Sequence, residues 1–256
     1  MLERLIRNRF LFEELVKRDF KKKYKRTVLG VLWSVLAPLL QLLVMTLVFK
    51  NILGRTTQHF TIYLFCGLLV YTYYSDATGG GMRSLLANAS IFKKVDVPKY
   101  LFLFSKNVQA FINFCLTLVV LFIFVLFEPG LTLRWKFLAL IYPVLSITVL
   151  NVGVGMILSA MYIFFRDTEY LYSVFMRLLL YVSAIFYNIK SFPANKRFIF
   201  YLNPVFVHIL YFREIILEDV IPSLGLHLLC AFYALILLAM GCWVYKKYNW
   251  KFLYYV

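Results

Sequence analysis

The stretch KKKYKRTVLGVLWSVLAPLL, residues 21–40, joins a strongly basic segment to a strictly apolar one. Behind the join, Lys17, Arg18, Lys21, Lys22, Lys23, Lys25 and Arg26 fall within ten residues, opposed only by Asp19. Ahead of it, residues 28–49 carry no charge. An uncharged run of about 20 residues matches a hydrocarbon core of about 30 Å at 1.5 Å per helical residue. Basic residues beside a first span resist translocation and are drawn to anionic headgroups, so this flank is expected on the cytoplasmic side. Gly30 lets the chain turn from a surface helix into a spanning one. A signal anchor with positive-inside flanks would show the same local pattern.

Composition extends this reading to the whole chain. Of 256 residues, 62% are hydrophobic and 16% charged, and mean hydropathy is +0.78, far outside the range of water-soluble domains. An all-α membrane protein is expected, a single domain over residues 1–256 with no room for a folded soluble domain. The first apolar run exceeds a signal-peptide core and lacks a small-x-small site after it, so retention of the N-terminus is expected. The net charge of +16 is spread over span flanks without a nucleic-acid-binding motif, so no nucleic-acid partner is expected. Cys66, Cys115, Cys230 and Cys242 lie in apolar runs without metal-ligand spacing and read as small core residues.

In chain order, residues 1–27 read as a cytoplasmic interfacial helix and basic hinge. Leu2, Leu5, Ile6, Phe10, Leu15 and Val16 recur among charges at roughly helical intervals. A solvated helix packed on a partner protein is the alternative. Six spans are predicted, at about 28–50, 61–83, 104–127, 136–164, 169–188 and 223–244. Residues 189–222, with Pro193, Pro204 and Pro222 interrupting short apolar pieces, predict an outer re-entrant helical hairpin between spans five and six. Eighteen Lys and Arg fall on the segments assigned to the cytoplasm and eight on the outer ones, so both termini are expected inside. In the second span the glycines at 79–81 predict a bend or break, with Asp76 either lining a wet cavity or capping the broken helix. Gly153 and Gly155 in the fourth span predict close helix approach. Arg177 in the fifth either snorkels or faces a polar pathway.

No GxxxxGK[ST], HExxH, GxSxG or DxD pattern occurs, so neither nucleotide hydrolysis nor metal-assisted transfer has an evident seat in the sequence. No cofactor or metal site is expected on this chain. The scattered His59, His208 and His227 read as interface residues. Tyrosines recur in the second span and in the fifth. Aromatic belts account for those near span ends, whereas Tyr71, Tyr73 and Tyr74 sit deeper, where ring faces with hydroxyl tips suit sugars. A channel lined by Trp33, Tyr71, Tyr73, Tyr74, Asp76, Arg177 and Tyr181 is therefore expected.

The arrangement resembles, nearly end to end, the membrane-spanning subunit of ABC-type polysaccharide exporters, the permeases for O-antigen, capsule and teichoic acid. The resemblance rests on Lys23-Tyr24-Lys25-Arg26 leading into Leu29-Gly30, Trp33 and Pro38; on YLFCG at 63–67; on Phe92-Lys93-Lys94-Val95 with Pro98; on Phe165-Arg166-Asp167; and on Asn203-Pro204. Where the family often has a proline in the fifth span, this chain has Ser183-Ala184-Ile185-Phe186-Tyr187. The resemblance implies a homodimer in the bacterial inner membrane, paired with separate ATPase subunits that hold ATP and Mg, exporting a lipid-diphosphate-linked glycan. It places the substrate headgroup near Lys23, Tyr24, Lys25, Arg26, Leu29 and Gly30. ATPase coupling is expected at Phe92, Lys93, Lys94, Val95, Asp96, Pro98, Arg166 and Asp167, and an outer gate at Asn203 and Pro204. A membrane enzyme acting on polyprenyl-linked sugars would need converging acids or a metal site, and a bilayer scaffold is the third reading.

Overall fold

The computed structural model describes residues 8–25, 27–52, 59–95, 97–132 and 134–255, without the side chains of residues 22–24 and 50–52. The described residues are helical with no strands: α1 (Arg9–Tyr24), α2 (Trp33–Thr46), α3 (Phe60–Ala87), α4 (Ala89–Phe92), α5 (Tyr100–Phe127), α6 (Ile141–Phe164), α7 (Thr168–Val182), α8 (Phe198–Tyr201), α9 (Pro204–Ile216) and α10 (Leu224–Tyr248). Short 3-10 turns at Gly30–Leu32 and Trp135–Leu140 lead into α2 and α6.

Four helical stretches among these residues are long and apolar enough to cross a membrane: Gly30–Phe49, Tyr100–Phe127, Trp135–Phe164 and Leu224–Tyr248. Ala194–Tyr201 and Pro204–Ile216, meeting at 108°, make a fifth if taken as one broken span. At 28 residues α3 is also long enough, about 42 Å at 1.5 Å per residue, but its tyrosines, Asp76 and glycines lower its hydropathy. It can carry them because it is the central helix, buried along most of its length against α2, α5, α6 and α9. The predicted fifth span is shorter than expected, since α7 stops at Val182 and Ala184 turns the chain with φ of +49°.

The glycines at 79–81 do not break α3, contrary to the sequence expectation. Two of them, Gly79 and Gly81, are packing positions. A Cβ on Gly81 would lie 3.2 Å from the Gly155 Cα on α6, and one on Gly79 would lie 3.3 Å from the Tyr172 hydroxyl on α7. The helix accepts poor formers, each costing about 1 kcal/mol relative to alanine, because close backbone approach replaces the lost propensity. This also excludes Asp76 as the cap of a broken helix.

Residues assigned from sequence to one side gather at one end of the bundle. Leu15 of α1, Leu85 at the end of α3, Phe92, Val97 and Phe102, Ile163 at the end of α6, and Tyr245 and Phe252 form a common apolar cluster. At the opposite end the loops are tied by His59 to Glu128, Arg134 and Lys136 to Asp219, and Lys190 to Glu218. Desolvation acts to raise the Asp219 carboxyl, yet Lys136 and Arg134 together hold it below the ordinary aspartate range. Of the apolar face expected on the first helix, Leu15 is buried but Phe10 is 80% exposed, and Leu2, Leu5 and Ile6 lie outside the described residues.

Candidate functional site

Two adjoining cavities lie along α3 and α5, the first closed by α2 and the second by Tyr172 of α7. The first, of about 520 Å³, is bounded by Trp33, Ala37, Pro38 and Gln41 of α2, by Phe65, Thr72, Tyr73 and Asp76 of α3, and by Asn113, Phe114 and Thr117 of α5. The second, of about 320 Å³, is polar, with Ser75, Asp76, Gly80, Arg83, Lys106, Gln109, Asn113 and Tyr172 on its walls. Asp76, Ala110 and Asn113 belong to both. Helical geometry explains the α5 wall. Gln109, Asn113 and Thr117 are four residues apart and form one stripe down a helix that is apolar from Phe111 onward apart from Asn113 and Thr117. Polar groups at such positions are costly unless they face protein or water, which the cavities supply.

The polar cavity is fastened to α1. Asp19, buried, accepts from Arg18 at 2.8 Å, from Lys106 Nζ at 3.1 Å and from the Ser105 hydroxyl at 3.1 Å, while the Gln109 amide donates to the Asp19 main-chain carbonyl at 3.1 Å. Arg18 also reaches the Asn88 side-chain oxygen at 2.7 Å, at the end of α3. One carboxylate thus holds α1 against α3 and α5 and sets the position of Lys106 on the cavity wall. Arg83, on the wall of the same cavity, gives its Nε to Glu169 of α7 at 2.7 Å.

Of the expected channel residues, Trp33, Tyr73 and Asp76 come together on the larger cavity. The Tyr73 hydroxyl pairs with Thr148 at 2.9 Å and its ring stacks on Phe114 at 4.5 Å. Tyr71 and Tyr74 do not join them. Tyr71 donates to the Met176 carbonyl at 2.7 Å, tying α3 to α7, and Tyr74 is buried in the core. Arg177 and Tyr181 lie instead on the exposed face of α7, among Val174, Leu178 and Val182. These placements share a cause. Residue type and depth in a span are visible in sequence, but which face of a helix meets which neighbour is not.

At the headgroup stretch, Gly30 has φ of +53°, Leu29 accepts from the Leu32 N–H, and both Leu29 and Lys25 are exposed. Arg26 lies outside the described residues, as do the side chains of Lys23 and Tyr24. In the expected coupling loop, Lys93, Lys94 and Val95 are exposed, whereas Phe92 is buried and Pro98 partly so; Asp96 lies outside the described residues. Phe92 packs on Phe102 and under the Lys99 ammonium, contacts that fix this end of the loop. Arg166 and Asp167 are exposed at the turn between α6 and α7. Asn203 caps α9, accepting from the Val205 N–H at 3.0 Å and donating to the Ser183 hydroxyl at 2.9 Å, with Pro204 at the first helical position. That pair shapes the bend between α8 and α9. The three histidines are held by protein groups: His59 by Glu128, His208 by Pro204 and Ser146, and His227 by Tyr211 and Ser223.

Sequence reading missed Arg213. Counted among outer-loop cations, it is 5% exposed and donates to the carbonyls of Tyr63, Ala184 and Ile185, its guanidinium 3.4 Å above the Tyr63 ring. Its surroundings explain two positions of the YLFCG stretch. Tyr63 supplies a carbonyl and a ring, and Gly67 leaves room, since a Cβ there would lie 3.0 Å from the guanidinium.

The family profile described as ABC-2 type transporter matches residues 11–217. The O-antigen export system permease protein RfbA of Klebsiella pneumoniae is 29% identical over 250 residues, covering 95% of each chain. The protein of the same name from Myxococcus xanthus is 25% identical over 227 residues, covering 87% of this chain and 86% of that one. The polysialic acid transport protein KpsM of Escherichia coli is 24% identical over 240 residues, covering 91% and 92%.

Proposed function

The chain belongs to the ABC-2 type transporter family, and from that membership we propose that it is the membrane-spanning subunit of an ATP-driven exporter of a lipid-diphosphate-linked polysaccharide. The observation that carries this reading is the cavity pair. The smaller cavity, with Tyr172 among Ser75, Asp76, Gln109 and Asn113, offers a ring face and hydrogen-bonding groups together, beside a larger chamber walled by Trp33, Phe65 and Phe114. Sugars present C–H faces and hydroxyls in the same way. Relatives named for O-antigen export and polysialic acid transport support the substrate class. Among the described residues no group of three or more His, Cys, Asp or Glu is arranged to hold a metal ion.

In this reading the protein spans the bacterial inner membrane six times with both termini cytoplasmic. α1 lies along the cytoplasmic interface, and residues 189–222 dip in from outside. Two copies associate, covering the apolar face of α7 that carries Leu171, Val174, Leu178 and Tyr181 and bringing Arg177 to the seam. The cations at Lys23, Lys25 and Arg26, with Tyr24 and the Leu29-Gly30 turn, collect the diphosphate headgroup from the cytoplasmic leaflet. ATP and Mg are bound by a separate ATPase subunit, which pushes on the exposed Lys93, Lys94 and Val95 and on Arg166 and Asp167.

Topology is tested with single cysteines at Lys94 and Lys196, both exposed, in a background lacking the four native cysteines. Labelling by a membrane-impermeant maleimide should occur from opposite sides, and labelling of both from one side rejects the arrangement. Coupling is tested at Val95, which is 55% exposed, unlike Val97 at 8%. A Val95→Cys variant should crosslink to the ATP-binding subunit in membranes, and crosslinking to lipid alone would remove the coupling role.

A further inference from the structure

The two cavities differ in chemistry and meet at Asp76, Ala110 and Asn113. The larger is walled by Trp33, Phe65 and Phe114, and the smaller carries two cations. We propose that together they form one binding groove inside each protomer for a glycosylated lipid diphosphate, with the hydrocarbon chain in the larger cavity and the diphosphate and first sugar in the smaller. This rests on the exporter reading above and deepens it, placing a headgroup site within the bundle, beyond the basic stretch before α2.

Three observations define the ligand. The first is charge. Lys106 uses one contact on Asp19 and Arg83 uses its Nε on Glu169. An ammonium has three donors and a guanidinium five, so both keep donors for a phosphate while staying anchored. The second is Asp76 on the same wall, beside Asn113 and the Tyr172 ring. A carboxylate there repels a bare anionic headgroup but accepts from sugar hydroxyls, so the mixed wall selects phosphate followed by sugar over an ordinary anionic phospholipid. The third is continuity, because the aromatic-walled chamber of about 520 Å³ shares Asp76, Ala110 and Asn113 with the cationic site and has room for the first isoprene units of the same molecule. Asp19 gives the site a further property. The carboxylate that positions Lys106 belongs to α1, so a phosphate drawing on Lys106 acts on the contact that holds α1 to the bundle.

The full-length protein in lipid nanodiscs is titrated with four probes: a polyprenyl diphosphate bearing one hexose, the same lipid without the hexose, phosphatidylglycerol, and inorganic diphosphate. The glycosylated lipid should bind tightest and inorganic diphosphate weakest. Arg83→Gln and Lys106→Gln should each weaken glycosylated-lipid binding about tenfold or more, the scale of one lost charge-assisted hydrogen bond. Ala37→Phe, at an exposed position on the chamber wall, should weaken both polyprenyl probes and leave inorganic diphosphate unchanged. If Lys106→Gln loosens the fold through Asp19, seen as a lowered melting temperature, Arg83→Gln carries the test alone. Binding of phosphatidylglycerol as tight as that of the glycosylated lipid, or unchanged affinity in a folded Arg83→Gln protein, overturns the proposal. If wild-type protein exports glycan but binds none of the lipids at this groove, the site is wrong and the exporter reading stands. If it binds the glycosylated lipid but loaded vesicles with the ATPase move no glycan, the exporter reading fails and the site stands.

Discussion

Replacing Arg213 by alanine is expected to leave most of the protein misfolded, with a loss of about 3–5 kcal/mol, the range seen when one partner of a buried charge network is removed. The guanidinium donates to three carbonyls from two parts of the chain, the start of α3 at Tyr63 and the turn after α7 at Ala184 and Ile185, and it does so from α9. Alanine takes these donors away from buried carbonyls, leaving Ala184 only the Tyr63 hydroxyl at 3.4 Å, and opens a void beside Gly67 and the Tyr63 ring. No carboxylate pairs with Arg213 among the described residues; the charge is met by carbonyl dipoles and the ring face. Lysine should therefore rescue poorly, because one ammonium cannot span three acceptors and stack at the same time. The measurement is the thermal unfolding of detergent-purified protein, with the yield of folded material alongside. An Arg213→Ala protein that melts within a degree or two of wild type would mean that the clamp contributes little.

The second large effect is expected at Gly153→Ala. A Cβ there would lie 2.5 Å from the Leu237 carbonyl carbon and from the Leu238 nitrogen, and one on Gly241 would lie 2.6 Å from the Gly153 carbonyl oxygen. Each glycine thus receives the backbone of the other helix. Overpacking costs about 1–3 kcal/mol when side chains can adjust, and here the obstacle is main chain, so α6 and α10 must move apart along the most extensive helix contact in the fold. Loss of folded protein is expected for Gly153→Ala and for Gly241→Ala. The combined variant should cost less than the sum, since one separation relieves both clashes. Gly80→Ala is the control. Its Cβ would meet the Lys106 Cβ at an ordinary 3.6 Å, and the gain in helix propensity should leave stability equal or higher. Equal melting temperatures for Gly153→Ala and Gly80→Ala would contradict the packing account.

Reading the helices from sequence succeeded where one segment carries its own evidence. The uncharged run after the basic hinge, the apolar stretches that became α5, α6 and α10, and the Pro-interrupted region before α10 are visible because hydropathy and proline act locally. The close approach expected at Gly153 and Gly155 is also observed, at Leu237 and Leu238 for the first and at Leu103 and Gly81 for the second. The glycines at 79–81 were misread because the same residue weakens a helix in isolation and permits contact in a bundle. The α5 stripe of Gln109, Asn113 and Thr117 was legible in spacing, yet it does not stand out in a run of high mean hydropathy.

Composition and span length by themselves determined that this is a helical membrane protein. These quantities report the free energy of each segment in lipid or water, and that free energy belongs to the segment alone. The tertiary structure decided which polar residues meet. It put Trp33, Tyr73 and Asp76 on one cavity and sent Arg177 and Tyr181 to an outer face. It also buried Asp19 against Lys106 and turned Arg213 inward to clamp α3 and the turn after α7. Such pairings depend on helix rotation and on contacts 87 or 150 positions apart in the chain, as in Asp19 with Lys106 and Tyr63 with Arg213. No local property of the sequence encodes a rotation angle, so the functional surfaces emerge only when the helices pack.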